Sequence, residues 1–167
     1  MRRLLTVGTG LVLFLAGLVG TAAASAPAAP QHTSPQVRIA SGPAVAPLAP
    51  SGCSSGALCF WNGTGYSDGP GKLFGKNPDW SVFGHSSCPS GTWNNCASSA
   101  FNNGVNCDSV MWDGKNYTFG AEGILEMDRG VGISNLSNVV FNNVASSNSW
   151  ITPQHTTNSI CTGPNPF

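Results

Sequence analysis

The chain has 167 residues, of which 8% are charged, with seven basic side chains balancing seven acidic ones, and it carries 21 glycines and 12 prolines. Without an excess of positive charge there is no stripe to follow a phosphate backbone, which argues against a nucleic-acid partner. A chain so rich in Gly, Ser and Asn favours turns and strand ends, which excludes a helical protein and a charged disordered one.

The N-terminal stretch opens with Arg2 and Arg3, runs through uncharged, mostly apolar residues 4–19, and reaches the small residues Thr21-Ala22-Ala23-Ala24-Ser25-Ala26. This order predicts a signal peptide over residues 1–24, cut after Ala24; a cut after Ala26 would place Pro27 first. The apolar run is shorter than the roughly 20 residues a membrane-spanning helix needs. The expectation is therefore a secreted, extracellular chain with no membrane association after the signal is removed. Loss of Arg2 and Arg3 leaves five basic against seven acidic residues, a net charge of −2.

Residues 25–51 hold Pro27, Pro30, Pro35, Pro43, Pro47 and Pro50, and read as an extended spacer or a removable pro-segment. The folded domain is expected over 52–150, followed by a tail, 151–167, that Cys161 would tie back. A segment of this size makes one core.

All six cysteines, Cys53, Cys59, Cys88, Cys96, Cys107 and Cys161, fall in this part. An even number in an exported chain favours disulfides. Cys53 and Cys59 flank the turn-forming Ser54-Ser55-Gly56 and are expected to pair. For the rest the first choice is Cys96–Cys107 with Cys88–Cys161, and Cys88–Cys96 is the alternative. No Cys-x-x-Cys exists and His32, His85 and His155 are scattered, so the spacing is wrong for zinc.

Within the domain the chain repeats itself. Trp61-Asn62-Gly63-Thr64-Gly65-Tyr66-Ser67-Asp68-Gly69 aligns with Trp112-Asp113-Gly114-Lys115-Asn116-Tyr117-Thr118-Phe119-Gly120 at an offset of 51. Asn94-Asn95-Cys96-Ala97-Ser98-Ser99 is echoed by Asn142-Asn143-Val144-Ala145-Ser146-Ser147 at an offset of 48. Two landmarks in one order imply two similar halves. Each half leads an apolar strand, 57–61 or 109–112, into an aromatic-Asn/Asp-Gly hairpin. Further strands are expected at 72–74 and 80–83 in the first half and at 123–127 and 138–141 in the second, four per half. One or two turns of helix fit near 131–136. Two such units bury their apolar faces best against each other, as a sandwich.

At these residues the chain resembles the βγ-crystallin-like proteins, and among them the exported inhibitors grouped with the Streptomyces-type metalloproteinase inhibitor. The resemblance covers about 53–150 and includes the opening Cys-Ser-Ser-Gly-Ala-Leu-Cys-Phe-Trp. The superfamily's Greek-key motif has an aromatic, four residues, a second aromatic, one residue and Gly. Trp61/Tyr66 and Trp112/Tyr117 fit, while Gly69 and Gly120 come one residue late in both halves. The resemblance implies an all-β, disulfide-stapled sandwich of two Greek-key motifs. It also implies calcium: the superfamily motif Asn/Asp, Asn/Asp, two free positions, Ser/Thr, Ser is met by both echoes. The implied ligands are Asn94, Asn95 and Ser98 with the Cys96 carbonyl, and Asn142, Asn143 and Ser146 with the Val144 carbonyl. Amide, carbonyl and hydroxyl oxygens suit so hard a cation, although neutral Asn gives weak sites. The bland alternative is Asn-Asn turn caps with locally bonded serines.

Two functions follow from these readings: a secreted proteinaceous inhibitor of extracellular metalloproteases, or a calcium-binding structural module without inhibitory activity. The partner expected of the first is a secreted protease, met by a monomer through a loop at 85–95 or 101–108. Enzyme activity is not expected. Glu122, Glu126 and Asp128 read as solvated acids, and His85 beside Ser86 and Ser87 lacks the geometry of a nucleophile and base.

Overall fold

The computed structural model describes residues 36–39 and 48–167. The expected signal peptide lies outside the described residues. Eight strands are present: β1 (Gln36–Ile39), β2 (Leu58–Trp61), β3 (Gly71–Leu73), β4 (Ser99–Asn102), β5 (Asp108–Trp112), β6 (Ile124–Met127), β7 (Gly132–Ile133) and β8 (Ser147–Ile151). They form two four-stranded sheets, ordered β3-β2-β4-β7 and β1-β6-β5-β8. All pairings are antiparallel except β1 with β6. Strand β1 comes from the stretch read as spacer or pro-segment, so part of that stretch joins the sheet.

The halves exchange short strands. The first half builds β3-β2-β4, and this sheet is completed by β7 from the second half, through Ala100↔Ile133 and Phe101↔Gly132. In return, Asn77 of the first half bridges Asn148 on β8 with two backbone hydrogen bonds of 2.9 Å. The outcome is the expected all-β sandwich of two sheets.

Side chains alternate between two apolar environments rather than between core and water. Leu58 and Phe60 of β2, Met111 of β5 and Leu125 and Met127 of β6 meet in the core between the sheets. Their neighbours Cys59 and Trp61 sit with Phe101 in an outer cluster under Tyr66. Val110, Trp112, Ile124 and Ile151 form the matching cluster beside Tyr117 on the other sheet. Each aromatic hairpin therefore covers the outer face of its own sheet. Burying one such large side chain contributes about 1.5–3 kcal/mol, so two-sided burial gives short strands enough apolar area to hold.

Two expected strands are 3₁₀ turns instead, Trp80–Val82 and Leu136–Val139. Asp79 and Asn135 accept hydrogen bonds on their side chains from the N–H of Ser81 and Ser137, at 2.8 and 2.9 Å, and curl the chain before a strand can form. The second turn starts at Leu136, where the expected helical stretch at 131–136 ends.

The disulfides are Cys53–Cys59, Cys88–Cys96 and Cys107–Cys161. The first is as expected. The first-choice pairs Cys96–Cys107 and Cys88–Cys161 are wrong: Cys88 and Cys96 close one local loop, whereas Cys107 at the start of β5 receives the C-terminal tail through Cys161.

Candidate functional site

The hairpins are built by residues in left-handed conformation. Gly65 and Tyr66 have φ of 64° and 62°, and Asn116 and Tyr117 have 54° and 59°. A Cβ at Gly63 or Gly114 would collide with Ser67 Oγ or Thr118 Oγ1, so the fold-over needs glycine there. The last Ser of each six-residue motif then locks a hairpin. Ser99 Oγ donates to Gly63 O at 2.7 Å and accepts from Tyr66 N at 3.2 Å; Ser147 Oγ does the same with Gly114 O (2.6 Å) and Tyr117 N (3.1 Å).

The expected calcium residues come together, but crossed between the halves. Ser98 Oγ donates to Asn143 Oδ1 at 3.1 Å, and Ser146 Oγ donates to Asn95 Oδ1 at 2.9 Å. The backbone repeats the exchange: Asn95 N donates to Ala145 O and Asn143 N to Ala97 O, each at 2.9 Å. Asn95 and Asn143 share φ of 56°. Neither motif is thus self-contained, and Val144 O already accepts from Ser146 Oγ at 3.3 Å. Cys96 contributes its sulfur to the Cys88 disulfide. The first Asn of each motif behaves differently, because Asn94 Oδ1 and Asn142 Oδ1 are buried without a hydrogen-bond partner. Buried carbonyl oxygens left unpaired cost free energy, and two at equivalent places fit a hard cation's donor set.

The two expected inhibitory loops differ in character. Residues 85–95 form a small hairpin closed by Cys88–Cys96, with His85 stacked on Trp93 at 4.1 Å between ring centroids. His85 Nε2 lies 3.2 Å from Asp68 Oδ1, a close contact whose angles do not make a hydrogen bond. The Asn62 amide, aided by His85 and Ser87, holds the Asp68 carboxyl below the usual range. Exposed positions at its tip are Ser86, Ser87, Pro89, Ser90 and Gly91, which offer no large apolar side chain.

The second loop is shorter than the expected 101–108, because Phe101 and Asn102 are buried in β4 and Asp108 in β5. Residues 103–107 remain, with Val105 61% exposed at the tip. Asn102 clamps both ends: its Oδ1 accepts from Gly104 N at 2.9 Å and its Nδ2 donates to Cys107 O at 3.2 Å. Arg129 Nη1 donates to Val105 O at 3.2 Å, and Cys107–Cys161 anchors the C-terminal end.

One cluster joins Glu126 and Asp128 to an acid that the sequence does not place with them, Asp108. Asp108, Glu126 and Asp128 bring carboxylate oxygens within 4.8 Å of one another, and His155 Nε2 lies 3.1 Å from Glu126 Oε1. Glu126 is buried, contrary to its reading as a solvated acid. Burial, then repulsion from Asp128 and Glu126, pushes the Asp108 carboxyl up, opposed by the Arg129 N–H and charge. Its signal was alternation: Asp108 and Val110 share a face of β5, and Val110 is the register partner of Glu126.

Residues 46–124 match peptidase inhibitor family I36. The I36 match takes in the first hairpin, the 85–95 and 103–107 loops and the second hairpin, and ends at the first residue of β6. It supports a peptidase-inhibitor role in general, with a peptidase as partner. Among curated proteins none matches the chain. Among solved structures the chain is similar to a domain described under the evolution of the eye lens βγ-crystallin fold, at 16% identity and TM-score 0.49, covering 62% of this chain and 94% of that one. A βγ-crystallin from Ciona intestinalis gives 13%, 0.43, 56% and 96%, and one from an archaeon gives 12%, 0.44, 59% and 100%. These are likenesses of fold only.

Proposed function

We propose that the chain is a secreted, monomeric, non-catalytic inhibitor of extracellular metallopeptidases, acting through the 103–107 loop. The observation that carries this is the clamped loop: an exposed Val105, its carbonyl held by Arg129, between ends held by Asn102 and the Cys107–Cys161 bridge. A loop ordered before binding loses little entropy when a peptidase grips it. Cut ends that stay tied reseal or leave slowly, so the enzyme stays occupied. The I36 match supports inhibition, and the resemblance of the opening segment to the Streptomyces-type group favours metallopeptidases as targets. The test titrates a thermolysin-like and a subtilisin-like enzyme with the chain from residue 25 onward. Stoichiometric inhibition of the first, with one slow cut inside 103–107, is expected. Full activity of both at micromolar protein would end the reading.

A second reading, a calcium-binding module, is favoured by the unpaired Asn94 and Asn142 oxygens. Asn94 and Asn142, with the nearby serines and backbone carbonyls, would hold the ion. Bound calcium would supply charge that fastens the two halves where their motifs cross. The two readings are compatible, since a firmer sandwich also holds a firmer loop.

A further inference from the structure

Beside the 103–107 loop lies a cavity of about 290 Å³, lined by the loop itself, by Phe74 and Gly75 after β3, by Trp150 of β8 and by Ile160 in the tail. We infer that this cavity is a second foothold for the target peptidase and takes one large apolar side chain from it; the inference rests on the inhibitor reading. Eight large apolar side chains are exposed among the described residues, and three of them, Phe74 (64%), Val105 (61%) and Ile160 (63%), line this one cavity. They come from three segments far apart in sequence. Cys107–Cys161 draws the last two together, since Val105 precedes one cysteine and Ile160 the other. Asn158 fixes the tail turn by accepting on Oδ1 from Ile160 N (2.8 Å) and Cys161 N (2.6 Å). Convergent apolar groups on built, cross-linked turns mark an interaction surface rather than stray exposure.

The lining identifies the occupant. No charged side chain is part of it, so a charged group would be desolvated there without a partner. A cavity of about half this volume, ~150 Å³, takes up benzene, so the space suits a leucine or aromatic side chain. Gly104 keeps it open, because a Cβ there would stand 2.9 Å from Trp150 Cζ3. The source of the side chain follows from position: Gly104, Val105 and Asn106 belong both to the loop and to the cavity wall. A peptidase that grips Val105 must close over the cavity as well.

The experiment compares the chain from residue 25 onward with Phe74→Ser/Ile160→Ser and with Val105→Gly against the peptidase it inhibits best. Phe74 and Ile160 are exposed, so the double variant should unfold at the parent's temperature. Its inhibition constant should rise at least tenfold, while the cut inside 103–107 stays at the same bond and equally slow. Phe74→Leu should retain parent affinity. An unchanged constant for the double variant, beside an inhibiting parent, overturns the foothold and leaves the loop reading intact. Absence of inhibition by the parent overturns both. A concentration-dependent dimer of the free chain, abolished by the double substitution, would give the cavity to a second copy and also overturn the proposal.

Discussion

Asn102 shows how much one buried side chain organises. It is fully enclosed, and it donates to Met127 O at 2.8 Å as well as serving both ends of the 103–107 loop. Asn102→Ala would leave buried carbonyls and an N–H unpaired, at about 1–3 kcal/mol for each group that water does not reach. A lower thermal midpoint and faster cleavage of the loop are expected; a variant cut as slowly as the parent would show that the clamp does not matter. Asp108 is the opposite case, a group placed at a cost. Its carboxyl is raised, chiefly by burial, so the folded state holds the proton more tightly than the unfolded chain. Its contribution is greatest below the unfolded value, ~3.9, and declines as pH rises through the folded value. Asp108→Asn keeps an Oδ1 acceptor for Arg129 N and should raise the midpoint at pH 7, the gain vanishing near pH 3. A destabilised variant at pH 7 would mean that the negative charge has a partner.

At the level of elements, the staples divide the work. Cys88–Cys96 closes a separation of 8 residues and Cys107–Cys161 one of 54. Loop-closure entropy then assigns roughly 2.5 kcal/mol to the first and roughly 4 kcal/mol to the second. Replacing Cys107 and Cys161 by Ala should therefore lower the denaturation midpoint more than replacing Cys88 and Cys96. It should also turn the 103–107 loop into an ordinary substrate, read as rapid cleavage. Equal losses from the two pairs, with the loop still resistant, would contradict this assignment. Mass mapping of the unreduced protein should recover the three observed pairs and no others.

For the molecule as a whole, the crossing of the two motifs is the joint on which both sheets depend. Ser98 and Ser146 each bond across the halves, so Ser98→Ala with Ser146→Ala should destabilise the protein even without calcium. Asn94→Ala with Asn142→Ala removes the unpaired oxygens together with the rest of each amide and should cost little in calcium-free buffer. If calcium binds the folded form, millimolar ion raises the parent's thermal midpoint by mass action, and the asparagine variant loses that rise. A parent midpoint indifferent to calcium would leave these residues as turn caps.

The sequence by itself determined the two-half, all-β plan, the hairpins and the Cys53–Cys59 bridge, because each depends on residues close together. Trp61 to Tyr66 folds over through its own glycines, and the second half repeats it. Local chemistry also decided the 3₁₀ turns after Asp79 and Asn135, where the β-type apolar residues of 80–83 and 138–141 were the misleading signal. Tertiary structure alone decided what depends on distance: the exchange of β7 and Asn77 between sheets, and the pairing of Cys107 with Cys161. It also decided the meeting of buried Asp108 and Glu126 with half-buried Asp128, and that of Phe74, Val105 and Ile160 around one cavity. Spacing along the chain carries no record of such contacts, since any two turns can be neighbours until the sheets are packed.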